Sequence, residues 1–327
     1  MAIQLNNIDL SNLEAKSLFI TGGTGFFGFW LLNTLKNLND AGAGIEVMLL
    51  SRDPEKFLQR NPVYRNHKWL HWTVGDVVSY TAPQTRFDLF IHGAADTTPE
   101  AMNNPTALFE KILLGTRRVF EHAVASQTRR VLVVSSGAVY GEVPMELGCI
   151  TEETATAPVT TDTSNAYGEA KRAAEMLGFC FARECGVETL VARCFAFFGI
   201  GIGQHLVLYQ LISQALYQNE ITINGDGAAK RSFLHGSDLA IWLLKLLVDG
   251  RPGEIYNVGS DQAYTILELA RVVRDAVAPE KEIKVLGRQK KEYRMNYVPS
   301  VSKARSIGLD VWTPLEDMIK EQIHFTK

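Results

Sequence analysis

Four cysteines, Cys149, Cys180, Cys185 and Cys194, are all that 327 residues contain. Such a low density excludes a disulfide scaffold, and the absence of paired C-x-x-C spacing excludes the common zinc frameworks. They read as reduced packing residues. His92, His205 and His235 offer no metal-ligand spacing with a third partner, so no metal is expected. Long apolar runs are missing too: none approaches the ~20 residues that span a bilayer. The opening "MAIQLNNIDLSNLEAKSLFITGG" lacks a basic flank followed by an apolar core and a cleavage site, so the expectation is a cytoplasmic protein without a membrane partner. Nor is there an excess of positive charge. Lys and Arg total 33 against 36 Asp and Glu, a net charge of -3, which leaves no global field to recruit nucleic acid. An acidic ligand therefore needs a local basic site.

What the chain does have is a 46% hydrophobic content, enough to fill the core of one large α/β unit with a smaller companion. Short apolar runs alternate with helical stretches: "SLFITGG" then "FFGFWLLNTLKNL", "IEVMLLSR", "LFIHGAA", "PTALFEKILLGTRRVFEHAVAS", "RVLVVSSGAVYG", "NAYGEAKRAAEMLGFCFAREC", "VETLVARCFAFFG". Buried parallel strands read as continuous apolar runs, and helical crossovers between them give a doubly wound sheet of the Rossmann type. This rhythm covers residues 1–200. From 201 to 327 it loosens into a smaller mixed α/β lobe, with a helix near 204–218, the strand "EITI", a helix from Asp238, the strand "EIYNVG" and two terminal helices. "TILE" from Thr265 and "TPLE" from Thr313 have the spacing of capping boxes. No linker separates the parts, so elements of both are expected to interleave around one cleft.

"FITGGTGFFG" ends a strand and opens a helix, with Gly22, Gly25 and Gly28 spaced as G-x-x-G-x-x-G. The first glycine allows the tight turn, the second lets backbone amides approach a pyrophosphate, and the third permits close helix packing, while the helix N-terminus favours the anion. Gly22, Thr24, Gly25, Phe26, Phe27 and Gly28 thus form a dinucleotide cradle, with the two phenylalanine rings packing the helix beside it. At the end of the second strand, "VMLLSRDP" offers Ser51 and Arg52. An arginine fork matches a 2′-phosphate, whereas a carboxylate favours ribose hydroxyls, so NADP is preferred over NAD. Asp53, next along, is the residue that would serve NAD.

Tyr167 and Lys171 lie four residues apart in "NAYGEAKRAAE" and share a helix face. A phenol of ordinary pKa near 10 is a poor base at neutrality, but an adjacent ammonium and an oxidised nicotinamide favour its phenolate. "VLVVSSGAVYG" ends a buried strand in two serines, which places the Ser136 hydroxyl where ligands bind in open α/β sheets.

Together, "TGGTGFFG", "GDV" at 75–77, "HGAA" at 92–95, "SSGAVYG" at 135–141, "YGEAK" at 167–171 and "GDGAAKRSFLHGSDLA" at 225–240 make the chain resemble the extended short-chain dehydrogenases/reductases. That family includes nucleotide-sugar epimerases, 4,6-dehydratases, decarboxylases and 4-ketoreductases. The resemblance implies Ser136, Tyr167 and Lys171 as the catalytic group, with Ser136 also touching substrate and Tyr167 and Lys171 also on the cofactor, Lys171 at the nicotinamide ribose; it implies Asp76 and Val77 beside adenine, and Ala94 and Ala95 along the cofactor. It also implies a nucleotide-sugar substrate gripped at its diphosphate by Arg231, with Arg294 as a second clamp, and a homodimer built from helices of the first domain. Three departures narrow the reading. Gly137 and Ala138 stand where 4,6-dehydratases carry acidic residues, Ile112 and Ala196 stand where relatives carry asparagine, and Ile200 replaces a proline. The expected activity is therefore reduction of the C4 ketone of a 4-keto-6-deoxy sugar nucleotide. A 4-epimerase with tightly held NAD is the alternative, ahead of a 4,6-dehydratase or a non-catalytic dinucleotide sensor.

Overall fold

The apolar run Ser17–Thr21 forms the first strand (β1), and the Gly-rich turn after it feeds the first helix, α1 (Phe26–Asp40). The computed structural model describes residues 8–287 and 296–326. The chain continues through β2 (Glu46–Ser51), α2 (Pro54–Arg60), β3 (Leu70–Val74), β4 (Leu89–His92), α3 (Pro99–Met102) and α4 (Pro105–Ala125). There follow β5 (Arg130–Ser136), α5 (Ala166–Cys185), β6 (Glu188–Cys194), β7 (Phe197–Phe198), α6 (Val207–Tyr217), β8 (Ile221–Ile223) and β9 (Lys230–Arg231). The remainder is β10 (Leu234–His235), α7 (Gly236–Asp249), β11 (Ile255–Val258), β12 (Tyr264–Thr265), α8 (Ile266–Val277), β13 (Ile283–Val285), β14 (Asn296–Tyr297), α9 (Ser302–Arg305) and α10 (Leu315–Thr326).

Seven strands form one parallel sheet in the order β11-β6-β5-β4-β1-β2-β3. The order reverses between β1 and β4, and in open α/β sheets ligands bind beyond the carboxyl ends of the strands at such a reversal. Register brings the chemistry to that edge: Thr21 pairs with His92, and Ser136 with Cys194. Side chains alternate across each strand. Leu18 and Ile20 therefore pack toward α1 and α7 in a core that includes Trp30 and Leu243, while Phe19 faces the opposite layer with Val119 and Phe120 of α4. Each fully buried side chain of this kind contributes about 1.5–3 kcal/mol relative to exposure.

The second lobe packs α6, α8 and α10 around β8 and β13, through Leu211, Ile221, Leu269 and Ile319 among others. Its α8 begins with the capping box that the sequence spacing predicts, Thr265 and Glu268 satisfying each other's backbone amides. The Thr313 hydroxyl donates to buried Asp238, 2.9 Å away. Although α7 and β11 lie beyond residue 200, both belong to the first layer structure: β11 extends the large sheet beside β6, with Tyr256, Asn257 and Val258 all buried. No helix of the described residues is long and apolar enough to cross a membrane.

Candidate functional site

The glycine turn is shaped by contacts that admit no side chain. Gly22 has φ +77°, and a Cβ there would lie 2.6 Å from the Gly93 carbonyl. At Gly28 an added Cβ would sit 2.1 Å from the backbone of Gly23, so the start of α1 rests directly on the turn. Gly25 is the N-cap and supplies no side-chain cap, which leaves the first amides of a 15-residue helix for an anion. These features fit a dinucleotide pyrophosphate. The rings of Phe26 and Phe27 pack on Phe197, at 5.0 and 4.6 Å between centroids.

Behind the turn, His92 is buried between two threonines. Thr116 Oγ1 donates to the Ile112 carbonyl (2.7 Å), so it accepts from His92 Nε2 (3.0 Å). The imidazole, held neutral by burial with its pKa pulled down to about 3, then accepts at Nδ1 from Thr21 Oγ1 (2.8 Å), which in turn accepts from the Ala94 amide (3.2 Å). One tautomer follows from the chain of donors. It ties β1, the Ala94–Ala95 segment and α4 into one rim. His235, the other buried histidine considered from sequence, bonds Ser237 (2.7 Å) and Glu321 (2.8 Å).

At the far end of the cradle, Ser51 closes β2 in the core while Arg52 is exposed. Asp53 is committed elsewhere, accepting the Lys56 amide at 3.0 Å as N-cap of α2. Asp76 receives a Lys111 ion pair (2.9 Å) and the Val78 amide (3.2 Å). Burial raises its carboxyl, but the Lys111 hydrogen bond, the Val78 amide and the charges of Lys111 and Arg52 outweigh that and hold it below the usual range. Val77 packs where Gly115 of α4 leaves room. Lys111 lies in no motif, and the sequence alone did not single it out.

Three hydroxyls lie near one another at the end of β5. Ser136, buried at the end of β5, accepts the Ala138 amide (3.1 Å) and lies beside the phenols of Tyr167 and Tyr297, acting to lower the pKa of each. Lys171 lies one turn beyond Tyr167, its Nζ 6.0 Å from the phenol ring centre and donating to the Val134 carbonyl at 2.9 Å. The acidic phenol expected from sequence needs both the neighbouring ammonium and a bound oxidised nicotinamide, and the chain alone supplies only the first. Burial pushes Tyr167 up to about 12, Ser136 offsetting only part, and burial pulls Lys171 down to about 8. Desolvation disfavours both charged forms more than their mutual attraction helps them. At neutral pH Tyr167 thus carries its proton and is a donor.

Tyr297 escaped the sequence reading. It stands in register with Arg231 across β14 and β9, and its hydroxyl comes beside Ser136 because Gly137 has no side chain: a Cβ there would lie 2.8 Å from the phenol oxygen. Its segment contains two tyrosines, Tyr293 and Tyr297, and only the long-range strand pairing selects one. Arg231 is half-buried, and among the described residues no carboxylate forms an ion pair with it. Arg294 lies outside the described residues. Ile112 packs with Leu108, Ala170 and Tyr167, an apolar wall where an asparagine was expected, and Ala196 packs against the core of the second lobe.

The second lobe holds a cavity of about 250 Å³ whose lining includes Gln210, Gln214, Thr222, Asn224, Asp226 and Ala229.

Comparison with known proteins gives the same picture. Residues 18–259 match the NAD dependent epimerase/dehydratase family. The chain is 26% identical over 298 residues to UDP-glucuronic acid decarboxylase 6 of Arabidopsis thaliana, covering 89% of this chain and 82% of the relative. Among solved structures, the UDP-N-acetylglucosamine 4-epimerase of Methanobrevibacter ruminantium M1 superposes with a TM-score of 0.82 at 20% identity, covering 95% of this chain and 99% of the other. A dTDP-glucose 4,6-dehydratase of Streptomyces venezuelae with NAD and TYD bound gives 0.78 at 22%, covering 94% and 97%.

Proposed function

The chain belongs to the NAD dependent epimerase/dehydratase family, an enzyme of the extended short-chain dehydrogenase/reductase group, and on that premise we propose that it reduces the C4 ketone of a 4-keto-6-deoxy sugar nucleotide. The observation that carries this reading is a cluster of hydroxyls: Ser136 beside the phenols of Tyr167 and Tyr297, with Gly137 and Ala138 following and no carboxylate on that turn. Elimination of water across two sugar carbons requires a placed acid and base, and the turn supplies neither. Delivery of one proton to a ketone oxygen requires a protonated donor, which burial makes of Tyr167.

In this reading the nucleoside lies in the second-lobe cavity, the diphosphate on Arg231, and the sugar oxygen between Ser136 and Tyr167. A guanidinium fork suits phosphate oxygens, and a half-buried one gains more from them than one in water. A bound reduced nicotinamide supplies hydride to the carbon. Ser136 orients the oxygen, Tyr167 hands it a proton as negative charge develops, and the Lys171 ammonium stabilises the phenolate left behind. The test is direct. Purified protein should oxidise NADPH when given a 4-keto-6-deoxy sugar nucleotide. Inversion at C4 with no net change in the cofactor would replace this reading by the epimerase one, and no reaction across a panel of such ketones would remove it.

NADP is the proposed carrier because Arg52 stands at the end of β2, where a guanidinium suits a 2′-phosphate. A charge-assisted hydrogen bond is worth about 1.5–3 kcal/mol, so Arg52→Ala is expected to weaken NADPH binding roughly 10- to 100-fold. NADH affinity should change by less than about twofold on the same logic. Fluorescence titration of both nucleotides measures the ratio; an unchanged ratio would exclude Arg52 from the site. A homodimer is proposed as well, supported by α4 packing along α5 while Leu114 and Met176 remain 55% and 64% exposed.

A further inference from the structure

One buried charge pair is not accounted for by the chemistry above. Along α5 the stripe that presents Tyr167 and Lys171 continues one turn further to Glu175, so the three side chains share a face at successive four-residue steps. Glu175 is 5% exposed and Arg193 of β6 is 12% exposed at the side chain. Arg193 grips the carboxylate with two nitrogens, Nε to Oε1 at 3.0 Å and Nη2 to Oε2 at 2.7 Å. Ser135, in register with Arg193 on the neighbouring strand, donates its hydroxyl to Glu175 Oε1 at 2.5 Å. The two serines that end β5 are therefore divided: Ser136 faces the phenols, and Ser135 faces the ion pair.

The polar chain continues on the other side. The Arg193 guanidinium lies 4.7 Å over the Tyr140 ring, and Tyr140 donates to Asn257 Oδ1 at 2.8 Å. Asn257 Nδ2 donates to the Ile150 carbonyl at 2.8 Å, which also accepts the Ser300 amide, three residues from Tyr297. Each element that carries a reaction-centre hydroxyl is thus tied to Glu175 or Arg193 within a few bonds. Burying such a pair is costly, and a buried ionic network is retained where it fixes one arrangement among several.

We propose that Glu175 and Arg193 are positioning residues for the reaction assigned above: through Ser135 they hold α5 in register on β5 so that Tyr167 meets Ser136, and Glu175 gives Lys171 its counter-charge. This assignment rests on the proposed reaction only for its kinetic arm. The groups facing Lys171 make the electrostatic part specific. On its own helix these are Tyr167 and Glu175; from β6, Cys194 and, behind Glu175, Arg193; from β4, His92; from β5, the Val134 carbonyl; Tyr297 of β14 stands behind Tyr167. Burial draws Lys171 down, while Cys194 and Glu175 act upward. The Cys194 thiol is itself pushed up to about 12 by burial and is uncharged near neutrality, and His92 is neutral. Glu175 remains as the carboxylate that keeps the ammonium charged.

The test uses the full chain with isotopically labelled lysine, the Lys171 resonance being assigned by its loss in Lys171→Met. Glu175→Gln is expected to lower the Lys171 titration midpoint by about one pH unit, a tenfold loss of proton affinity. Arg193→Gln is expected to raise it. Glu175→Asp keeps the charge but shortens the reach, and Ser135→Ala removes the link to β5; both should preserve the midpoint and lower kcat by on the order of 10²-fold, the effect of a misplacement of about 1 Å. A wild-type midpoint in folded Glu175→Gln overturns the counter-charge role. Should that variant not fold, a wild-type midpoint in Arg193→Gln overturns it instead. Wild-type kcat in both Glu175→Asp and Ser135→Ala overturns the positioning role. The titration needs no substrate, so failure of the wild-type protein to reduce any sugar nucleotide would remove the proposed reaction and leave the Lys171 result standing.

Discussion

Replacing Tyr167 by Phe is expected to lower kcat by roughly 10²–10⁴-fold, the usual worth of a positioned general acid, while NADPH affinity stays within about threefold because no donor to the dinucleotide cradle is removed. The ring itself should remain in place. It is half-buried against Ile112 and Ala170, contacts that Phe reproduces. What is lost is the one hydroxyl that α5 brings beside Ser136. Removing it also leaves Ser136 with Tyr297 beside it and its Ala138 bond, so the strand end loses no buried partner outright. Steady-state kinetics together with nucleotide titration separate the two effects. Turnover at the wild-type rate would dismiss Tyr167 as the proton donor, whereas parallel loss of turnover and NADPH binding would point to a collapsed site.

Two alanine substitutions in the glycine turn should part company. Gly28→Ala places a Cβ 2.1 Å from the backbone of Gly23, and neither side is a flexible side chain that can swing away. The start of α1 must lift off the turn. Overpacking of this kind costs typically about 1–3 kcal/mol, and the high end corresponds to roughly 10²-fold in dinucleotide affinity together with a lower melting temperature. At Gly25 the added Cβ meets nothing closer than the Gly22 carbonyl oxygen at 3.5 Å, an ordinary contact, and φ is -88°. Gly25→Ala should therefore melt like the wild type and still bind the dinucleotide poorly, because the methyl intrudes where the pyrophosphate approaches. Melting curves and NADPH titrations of both variants check this. Equal NADPH affinity in Gly25→Ala and wild type would place the pyrophosphate elsewhere.

Features that depend on neighbours in sequence were legible before the fold was known. The glycine turn follows from spacing between a strand and a helix, the Tyr167 and Lys171 face from helical period, and the Thr265 capping box from three residues of separation. Strand β3 was not named from the sequence, because as an edge strand it buries only Leu70 and lacks the continuous apolar run of its neighbours. The strand "EIYNVG" was recognised, but its place beside β6 in the large sheet is a choice between two lobes that local pattern does not encode. Tyr297 failed for the same reason, since its partner Arg231 is 66 positions away and the strand that carries it is two residues long. The acidity of the phenol is a different matter. Helical spacing brings Lys171 near Tyr167, yet spacing carries no measure of desolvation, and that term set the sign.

The arithmetic of lone pairs at Ser136 has a consequence for what enters the site. A serine hydroxyl offers two lone pairs and a single hydrogen. The Ala138 amide occupies one lone pair, which leaves one lone pair and the hydroxyl hydrogen to share among the neighbouring phenols and an incoming oxygen. Which neighbour takes which changes by rotating O–H bonds, with no heavy atom displaced. An incoming sugar oxygen therefore meets a donor or an acceptor at Ser136 according to how that O–H is turned, so the serine can serve a carbonyl as well as an alcohol.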